Sequence, residues 1–399
     1  MRLYVGILFI AVFILIIDLL FYLFFLKKLP RRRTWLYFSL GLGISYTIYW
    51  TWLLYMSPGT YSYLQEDNYH LFFLGTSIMI TLYIPRFTAL VFKLLLSIFQ
   101  FLQILRRKTV KIISLSLAAF ILALSVLGIF VIRFQFRVIE QTVESKHIPR
   151  SFDGYRIVQI SDLHLGTSKR NKKAFTQMVD MVNALEGDLV VFTGDIVNNF
   201  STELEGWIQV LNKIESKGKI YAILGNHDYG DYVKWTSSQD KQQNFRDIIN
   251  FFEQVNWELL RNEHTYLTQN EDSILLAGVE NWGHPPFPQY GDLEKSLPDT
   301  IKNPVILLSH DPSHWDAEVK THPAPIFLTL AGHTHGFQFG IRSSWLNLSP
   351  VSLRYDKWGG LYQHEDKYMY VNVGAGTIGF PGRIGMRPEI TMITLKTSK

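Results

Sequence analysis

Four long apolar runs occupy the first third of the 399-residue chain, and short basic clusters separate them. The runs are residues 3–26, 34–56, 69–105 and 112–132. Each is long enough for a helix that crosses a bilayer. The third run contains Pro85 and Arg86, and we predict a single long helix there, either kinked or partly interfacial. The pattern predicts an α-helical transmembrane region of about four spans over residues 1–133.

The basic clusters at 27–33 and 106–111 predict the orientation of this region. Lys and Arg near the ends of spans favour the cytoplasm, and four spans place both clusters on that side. The N-terminus and the chain after residue 133 then face outward. A span count other than four would change this assignment.

Asp18 is the one ionisable residue inside the first apolar run. An acid at that depth suggests a functional intramembrane group, but a single acid does not indicate a proton or ion path. The simpler hypothesis is a carboxylate that a neighbouring helix satisfies, through Lys93 or a Ser or Thr hydroxyl.

Beyond residue 150, short β-rich runs alternate with polar stretches that suit helices. Strands are predicted at 156–161, 189–193, 219–224, 274–279, 305–309, 326–330, 368–373 and 390–395. Helices are predicted at about 171–185, 202–216 and 242–254, where apolar positions recur every three or four residues. The alternation indicates an α/β domain with a mixed sheet over residues 151–399. Residues 134–150 turn polar, which predicts a linker or a helix that leads into this domain.

Composition and charge narrow the class of protein. Hydrophobic residues make up 48% of the chain and charged residues 18%, which excludes a disordered or fibrous protein. The net charge of +5 combines +10 in the first 133 residues with −5 in the remainder. Because the basic residues flank apolar runs, we expect the lipid bilayer as a partner and no nucleic acid. The absence of cysteine excludes disulfides, thiolate metal sites and cysteine nucleophiles.

Five predicted strands end in residues that can bind a metal ion. In chain order these residues are Asp162 and His164, then Asp195, then Asn226 with its neighbours His227 and Asp228, then His310, then His333 and His335. The carboxyl ends of strands in an open α/β sheet form one crevice, so these side chains should converge. Oxygen and imidazole ligands without thiolate suit Mn, Fe or Zn. Seven ligands are too many for one open metal site, which predicts two divalent metal ions sharing a carboxylate.

These motifs resemble those of a known family. The set Asp-x-His, Gly-Asp, Gly-Asn-His-Asp, a lone His and Gly-His-x-His resembles that of the calcineurin-like metallophosphoesterases. The stretch from Phe152 to Val158, leading into Ser161 to Gly166, resembles the bacterial membrane-associated branch. The resemblance covers about residues 150–397. It implies a sandwich of two mixed sheets flanked by helices, with a dimetal site at one end.

The resemblance also implies the roles of the site residues. One metal ion would be held by Asp162, His164, Asp195 and His335, and the other by Asp195, Asn226, His310 and His333. His227 would contact a phosphoryl oxygen or protonate the leaving group, and Asp228 would fix its orientation. Outside these motifs, Arg383 is a candidate substrate-binding residue for a phosphate. Pairing of Arg383 with Glu389 or solvent is the alternative.

Together these observations predict a membrane-anchored dimetal phosphohydrolase that cleaves phosphate mono- or diesters through attack of a metal-bound hydroxide. We expect a multi-pass protein of a bacterial inner membrane, with the catalytic domain on the outer face and a phosphorylated lipid or envelope component as substrate. One alternative is a nucleotide-diphosphate-lipid pyrophosphatase whose domain faces the cytoplasm. Another is a non-catalytic membrane sensor, although the complete motif set favours an enzyme.

Overall fold

The chain divides into two compact units. The computed structural model describes residues 2–55, 69–283, 288–343 and 346–398. One unit consists of Met1–Phe130 with Gly379–Gly382, and the other of Val131–Ile378 with Arg383–Lys399.

The first unit is helical. Its helices are α1 (Arg2–Phe21), α2 (Arg32–Tyr55), α3 (Tyr69–Ile78), α4 (Ile84–Phe101) and α5 (Arg107–Phe130). Among the described residues, two helices are long and apolar enough to cross a membrane, His70–Phe101 and Arg107–Phe134, judged by length and composition. A shorter apolar helix covers Ala11–Leu26. The predicted four-span region is therefore not confirmed.

The third apolar run forms one uninterrupted helix, because a π-helical turn at Met79–Tyr83 joins α3 to α4. Pro85 lies two residues after the end of this turn. Proline lacks an N–H and its ring clashes with the carbonyl four residues earlier, so a wider turn accommodates it within a continuous helix. The single helix predicted across Pro85 is present.

Asp18 is paired with two side chains of a neighbouring helix. Its Oδ1 lies 3.6 Å from Nε of Arg86, and the Tyr83 hydroxyl donates to its Oδ2 at 3.4 Å. The partner cation is Arg86 rather than the Lys93 suggested by the sequence. The simpler hypothesis for Asp18 therefore agrees with the structure.

The second unit is an α/β sandwich. Its strands are β1 (Arg137–Ser145), β2 (Arg156–Ile160), β3 (Leu189–Thr193), β4 (Ile220–Ile223), β5 (Trp257–Leu259), β6 (Glu263–Gln269), β7 (Asp272–Gly278), β8 (Val305–Leu308), β9 (Ile326–Ala331), β10 (Ile341–Arg342), β11 (Asn347–Leu348), β12 (Gly360–His364), β13 (Lys367–Val371) and β14 (Glu389–Thr397). Its helices are α6 (Lys172–Ala184), α7 (Ile208–Leu211), α8 (Ser238–Gln254) and α9 (Ser313–Ala317). One six-stranded sheet has the order β1-β14-β2-β3-β4-β5 and a second has the order β12-β13-β9-β8-β7-β6, while β10 and β11 form a separate two-stranded sheet. Both six-stranded sheets contain parallel and antiparallel pairs, as expected for a mixed sandwich.

Alternate residues along the strands fill two different cores, because successive side chains of a strand point to opposite faces. Ile157 and Val191 of one sheet pack with Ile306 and Leu328 of the other between the two layers. On the outer face of the first sheet, α6, α7 and α8 cover residues such as Phe192. Helix α9 covers the outer face of the second sheet. The strand ends are thereby fixed between rigid layers.

The segment 134–150, predicted as a linker or leading helix, belongs to the sandwich instead. Strand β1 within it pairs in parallel with β14 along its whole length, from Arg137 opposite Glu389 to Ser145 opposite Thr397. Because β1 is an edge strand, several of its side chains are polar and exposed, and its composition therefore resembles that of a linker. The compact α/β unit accordingly starts at Val131, earlier than the predicted boundary at residue 151.

Candidate metal centre

The loops that follow five strands bring the predicted ligands together. Two groups of carboxylate and imidazole donors form, and within each group the donor atoms lie within 4.8 Å of one another. The groups are Asp162 with His164 and His335, and Asp195 with His310 and His333. These five strand ends are those that the sequence indicated.

Asp195 belongs to the second group and also contacts the first. Its Oδ2 is 3.5 Å from Nε2 of His164, in the first group, and 3.2 Å from Nε2 of His310, in the second. The backbone N–H of His227 donates to Oδ1 of Asp195 at 2.9 Å and fixes the other oxygen. One carboxylate oxygen therefore has the position that a bridging ligand requires.

Asn226 adds an amide oxygen to the second group. Its Oδ1 lies 2.7 Å from Nδ1 of His333 and 3.2 Å from Nε2 of His310. Its Nδ2 donates to the Tyr232 hydroxyl at 2.7 Å. Because Tyr232 takes the amide N–H, the Asn226 oxygen is turned toward the imidazoles, where it can ligate a cation.

Most of the candidate ligands have a left-handed backbone conformation, which is unfavourable for residues that carry a side chain. Those with positive φ are Asp162 (52°), His164 (42°), Asp195 (63°), His333 (74°) and His335 (50°). Such conformations cost on the order of 1 kcal/mol or more each and occur mainly where function requires them. The preceding glycine of Gly332-His333 is also constrained, because a Cβ there would overlap Ser161 and Asp162.

The buried nitrogens of this centre fit a cation. Both ring nitrogens of His164 and Nε2 of His335 are buried without a hydrogen-bond partner. The Nδ1–H of His310 donates to the Thr193 carbonyl at 2.6 Å, which leaves Nε2 to face the centre. Unpartnered buried nitrogens are costly, and a metal-binding imidazole usually donates its other ring N–H to a carbonyl or carboxylate, as His310 does to Thr193. Together with the carboxylate and amide oxygens, they suit two divalent cations.

The carboxylates and imidazoles of the centre shift one another's pKa values. Burial disfavours a charged imidazole, but the carboxylates of Asp195 and Asp162 outweigh this and raise the pKa of His310 to about 10. Burial also opposes ionisation of Asp195, yet His310 and His227 hold the pKa of that carboxyl well below its usual range. A proton on His310 therefore balances the carboxylate charge wherever a cation does not.

His227 borders the same centre and is a neutral imidazole. Burial lowers its pKa to about 4. Its Nδ1 lies 2.7 Å from the carbonyl oxygen of Asn198, so the proton is on Nδ1 and Nε2 is an acceptor. The resemblance implied that His227 contacts a phosphoryl oxygen or protonates the leaving group, and in this protonation state Nε2 has no proton to give to a leaving group.

The role expected of Asp228 is corrected by the structure. Its carboxylate accepts hydrogen bonds from the backbone N–H groups of Asp195, Ile196 and Gly225 at 2.8–2.9 Å. The His227 ring is instead oriented by the hydrogen bond that its Nδ1–H donates to the Asn198 carbonyl. Asp228 thus positions two ligand loops, and the sequence could not distinguish this from contact with the adjacent histidine.

Arg383 is not available as a phosphate clamp, which corrects the substrate-binding prediction. The residue is fully buried, and its guanidinium donates to the carbonyls of Val373, Gly374 and Gly376 at 2.6–3.0 Å. Its Nη2 also lies 3.3 Å from Nδ1 of His335. The glycine-rich loop exposes backbone carbonyls to Arg383, and these bind its donors behind the ligand His335.

A cleft of about 270 Å³ opens onto the centre. Five of the seven candidate ligands line it together with His227, namely His164, Asp195, Asn226, His333 and His335. The other lining residues are Thr334, Phe337, Pro350, Val351, Arg354, Tyr355 and Ile378. The Tyr355 hydroxyl lies 2.7 Å from Nε2 of His333. Sequence reasoning missed Tyr232, Arg354 and Tyr355, because these residues come from loops and not from the ends of predicted strands.

Comparison with known proteins agrees with this geometry. The sequence profile of the calcineurin-like phosphoesterases matches residues 155–337. The chain is 33% identical over 266 residues to the uncharacterized metallophosphoesterase YkuE of Bacillus subtilis, in an alignment covering 65% of this chain and 85% of YkuE.

Two vertebrate proteins are also similar. A transmembrane protein with metallophosphoesterase domain from Danio rerio is 32% identical over 272 residues, covering 65% of this chain and 57% of its own. A protein of the same name from Bos taurus is 32% identical over 271 residues, covering 63% and 55%. The chain thus spans little more than half the length of these vertebrate relatives. The motif set, the paired ligand groups and these similarities show that the chain belongs to the calcineurin-like metallophosphoesterase family. Members of this family are metal-dependent phosphoester hydrolases.

Proposed function

We propose that this protein is a membrane-anchored phosphohydrolase that cleaves phosphate mono- or diesters of a lipid or envelope component. The observation that carries the proposal is the position of Asp195 Oδ2 within 3.5 Å of an imidazole from each ligand group. Two divalent cations bound there would supply Lewis acidity and an activated water at neutral pH.

The protein's own residues would orient the reactants around that centre. Asn226 Oδ1 and Asp195 Oδ2 hold Nε2 of His310, and the Tyr355 hydroxyl holds Nε2 of His333. His227 lines the cleft, and its Nε2, without a proton, can take one from a water or a hydroxyl group there. Arg354 lines the cleft and brings a positive charge to an incoming phosphoryl group.

Membrane anchoring is supported by the helical unit and by the relatives. Two of its helices have the length and composition of membrane spans, and two relatives are named as transmembrane proteins. We extend this to about four spans over residues 1–133, in a bacterial inner membrane with the phosphoesterase unit outside. The basic clusters at 27–33 and 106–111 support this orientation.

The first test is hydrolysis by the full-length protein in nanodiscs with Mn²⁺, on p-nitrophenyl phosphate and bis(p-nitrophenyl) phosphate. Asp195→Asn removes the negative charge of the carboxylate that contacts both ligand groups. We expect kcat/KM to fall by at least about 100-fold. Asp180→Asn, at an exposed position on α6, is the matched control and should retain full activity. Absence of hydrolysis in folded, metal-loaded protein would contradict the proposal and favour the sensor alternative.

The second test is topology. A reporter fused to the C-terminus should be active on the outer side of the membrane and silent in the cytoplasm. A cytoplasmic signal would contradict the proposed orientation. It would then favour a pyrophosphatase acting on nucleotide-linked lipids from the cytoplasmic side.

A further inference from the structure

Directly after the last ligand, the backbone makes a left-handed helical turn. Four consecutive residues have positive φ, namely His335 (50°), Gly336 (53°), Phe337 (56°) and Gln338 (60°). Three of them carry side chains, and L-residues disfavour this conformation strongly when it is repeated. A bulky aromatic residue such as Phe337 is among the least suited to it.

The turn is held by specific hydrogen bonds. The Ser349 hydroxyl donates to the Gly336 carbonyl at 2.8 Å, and the backbone N–H of Ile378 donates to Oε1 of Gln338 at 2.6 Å. The N–H of Phe337 donates to the Thr334 carbonyl at 2.9 Å. Because several separate segments fix the turn, its geometry is built into the fold.

The turn presents the Phe337 ring to the cleft. Phe337 lines the cleft and is 56% exposed, so its ring gains little from burial. The repeated left-handed backbone costs stability, and the half-exposed ring offsets only part of that cost by burial. A side chain held in this way beside metal ligands is suited to contact a ligand.

Apolar side chains continue outward from Phe337. Pro350, Val351 and Ile378 line the cleft beside it. Leu353, in the same short helical turn as Val351, is 92% exposed. We call Phe337, Pro350, Val351, Leu353 and Ile378 the apolar wall.

The wall has a polar inner end. Arg354 and Tyr355 follow Leu353 in the chain and line the cleft next to the metal ligands. The lining of the cleft therefore combines a cationic, metal-binding part with an apolar part. A molecule that fits it carries an anionic group at one end and a hydrocarbon chain at the other.

We propose that the apolar wall binds the hydrocarbon chain of an amphipathic phosphoester, while its phosphate group lies at the metal centre. This inference rests on the proposed phosphohydrolase function and narrows its substrate class. Each methylene that enters such a site should raise kcat/KM by roughly two- to fourfold. Phe337 and Leu353 are the residues whose removal should weaken this dependence.

The test uses full-length protein in nanodiscs, free of detergent that would compete for the wall. Monoalkyl phosphates and methyl alkyl phosphodiesters, from ethyl to decyl, are offered below their critical micelle concentrations, and kcat/KM is measured. We expect the decyl member to exceed the ethyl member by at least about tenfold. If kcat/KM did not change with chain length while the esters were still hydrolysed, the proposed role of the apolar wall would be wrong and the phosphohydrolase function would be unaffected.

Three variants separate the wall from general effects. Phe337→Asn removes the ring but keeps a residue that tolerates the left-handed backbone, and Leu353→Ser changes the wall without touching the turn. Both should reduce the decyl-to-ethyl ratio by at least threefold. Tyr266→Ser removes an exposed aromatic ring on β6, outside the cleft, and should preserve the ratio. An unchanged ratio in both wall variants would overturn the proposal.

Binding gives a readout that is independent of turnover. Decylphosphonate and ethylphosphonate, which are not hydrolysed, are titrated calorimetrically into the Mn²⁺-loaded protein, and the decyl compound should bind at least about tenfold more tightly. Equal affinities would overturn the wall even if neither ester series is hydrolysed. An effect of the variants only on phosphatidic acid in phosphatidylcholine vesicles, and on no soluble compound, would also overturn it, since Phe337 would then contact the bilayer.

Discussion

Asp228 holds the backbone of Asp195: its Oδ2 accepts the Asp195 N–H at 2.9 Å. The same oxygen accepts the N–H of Gly225 at 2.8 Å, and Oδ1 accepts that of Ile196 at 2.9 Å. One buried carboxylate therefore joins the loop after β3 to the loop after β4. These loops carry Asp195 and Asn226, which contribute to the ligand groups.

Asp228→Asn should weaken the hydrogen bonds that connect these two loops. An amide presents only one oxygen, and its NH₂ group would face backbone donors, so we expect a loss of about 2–3 kcal/mol of stability. We also expect a 10- to 100-fold fall in metal affinity, because Asp228 supports the ligands from behind. Thermal unfolding and Mn²⁺ titration of the full-length protein measure the two effects.

Asp153→Asn is the matched control for this prediction. Its carboxylate also accepts a backbone N–H, from Thr397 at 2.8 Å, but at an exposed site away from the ligand groups. The control should change metal affinity less than about twofold. Equal affinity losses in the two variants would show that Asp228 has no special link to the centre.

The neutral state of His227 predicts the pH dependence of catalysis. Its folded pKa is about 4, below the ordinary value of 6.5, so protonation is postponed until the pH falls toward 4. At saturating Mn²⁺, kcat should therefore show no loss near pH 6.5 that is attributable to His227. His227→Gln should lower kcat by about 10²- to 10⁴-fold through loss of the proton acceptor. An inflection near pH 6.5 that disappears in the variant would contradict this prediction.

The parts of the site that the sequence could predict are those tied to strand ends. Asp162, Asp195 and His310 each follow an apolar run, and parallel strands bring their carboxyl ends to one place. Local pattern was sufficient for these residues. The two mixed sheets followed from the same motifs through the resemblance to a family.

Other parts depend on contacts that a local pattern does not encode. The edge strand β1 resembles a linker because only one of its sides is paired. The positive φ of His335 and Phe337 arises from hydrogen bonds to distant segments, such as that from Ser349. Whether Arg383 reaches the cleft depends on which carbonyls surround it, and this is set by the folded loop.

Arg383→Lys tests whether this arginine is structural. A lysine ammonium cannot reach the three carbonyls that the guanidinium bridges, so the variant should lose about 3 kcal/mol of stability. Its effect on KM should be small in the folded fraction. Arg387→Lys, at a site where the guanidinium donates to the Gln135 carbonyl near the surface, should cost less than about 1 kcal/mol. A large rise in KM without loss of stability would restore Arg383 as a phosphate clamp.

Metal binding should release a proton from His310. Its folded pKa of about 10 means that, without a cation, the imidazole is protonated at pH 7.5. A cation on Nε2 must displace that proton, so affinity should rise by about tenfold per pH unit below pH 10 on account of this group. Calorimetric titration of metal-free protein with Mn²⁺, in buffers of different ionisation enthalpy, counts the protons released. We expect about one proton from His310, absent in His310→Gln and retained in His364→Gln, which changes an exposed histidine on β12. If the heat of binding did not depend on the buffer, no proton would be released, and the prediction that His310 is protonated in the metal-free protein would be wrong.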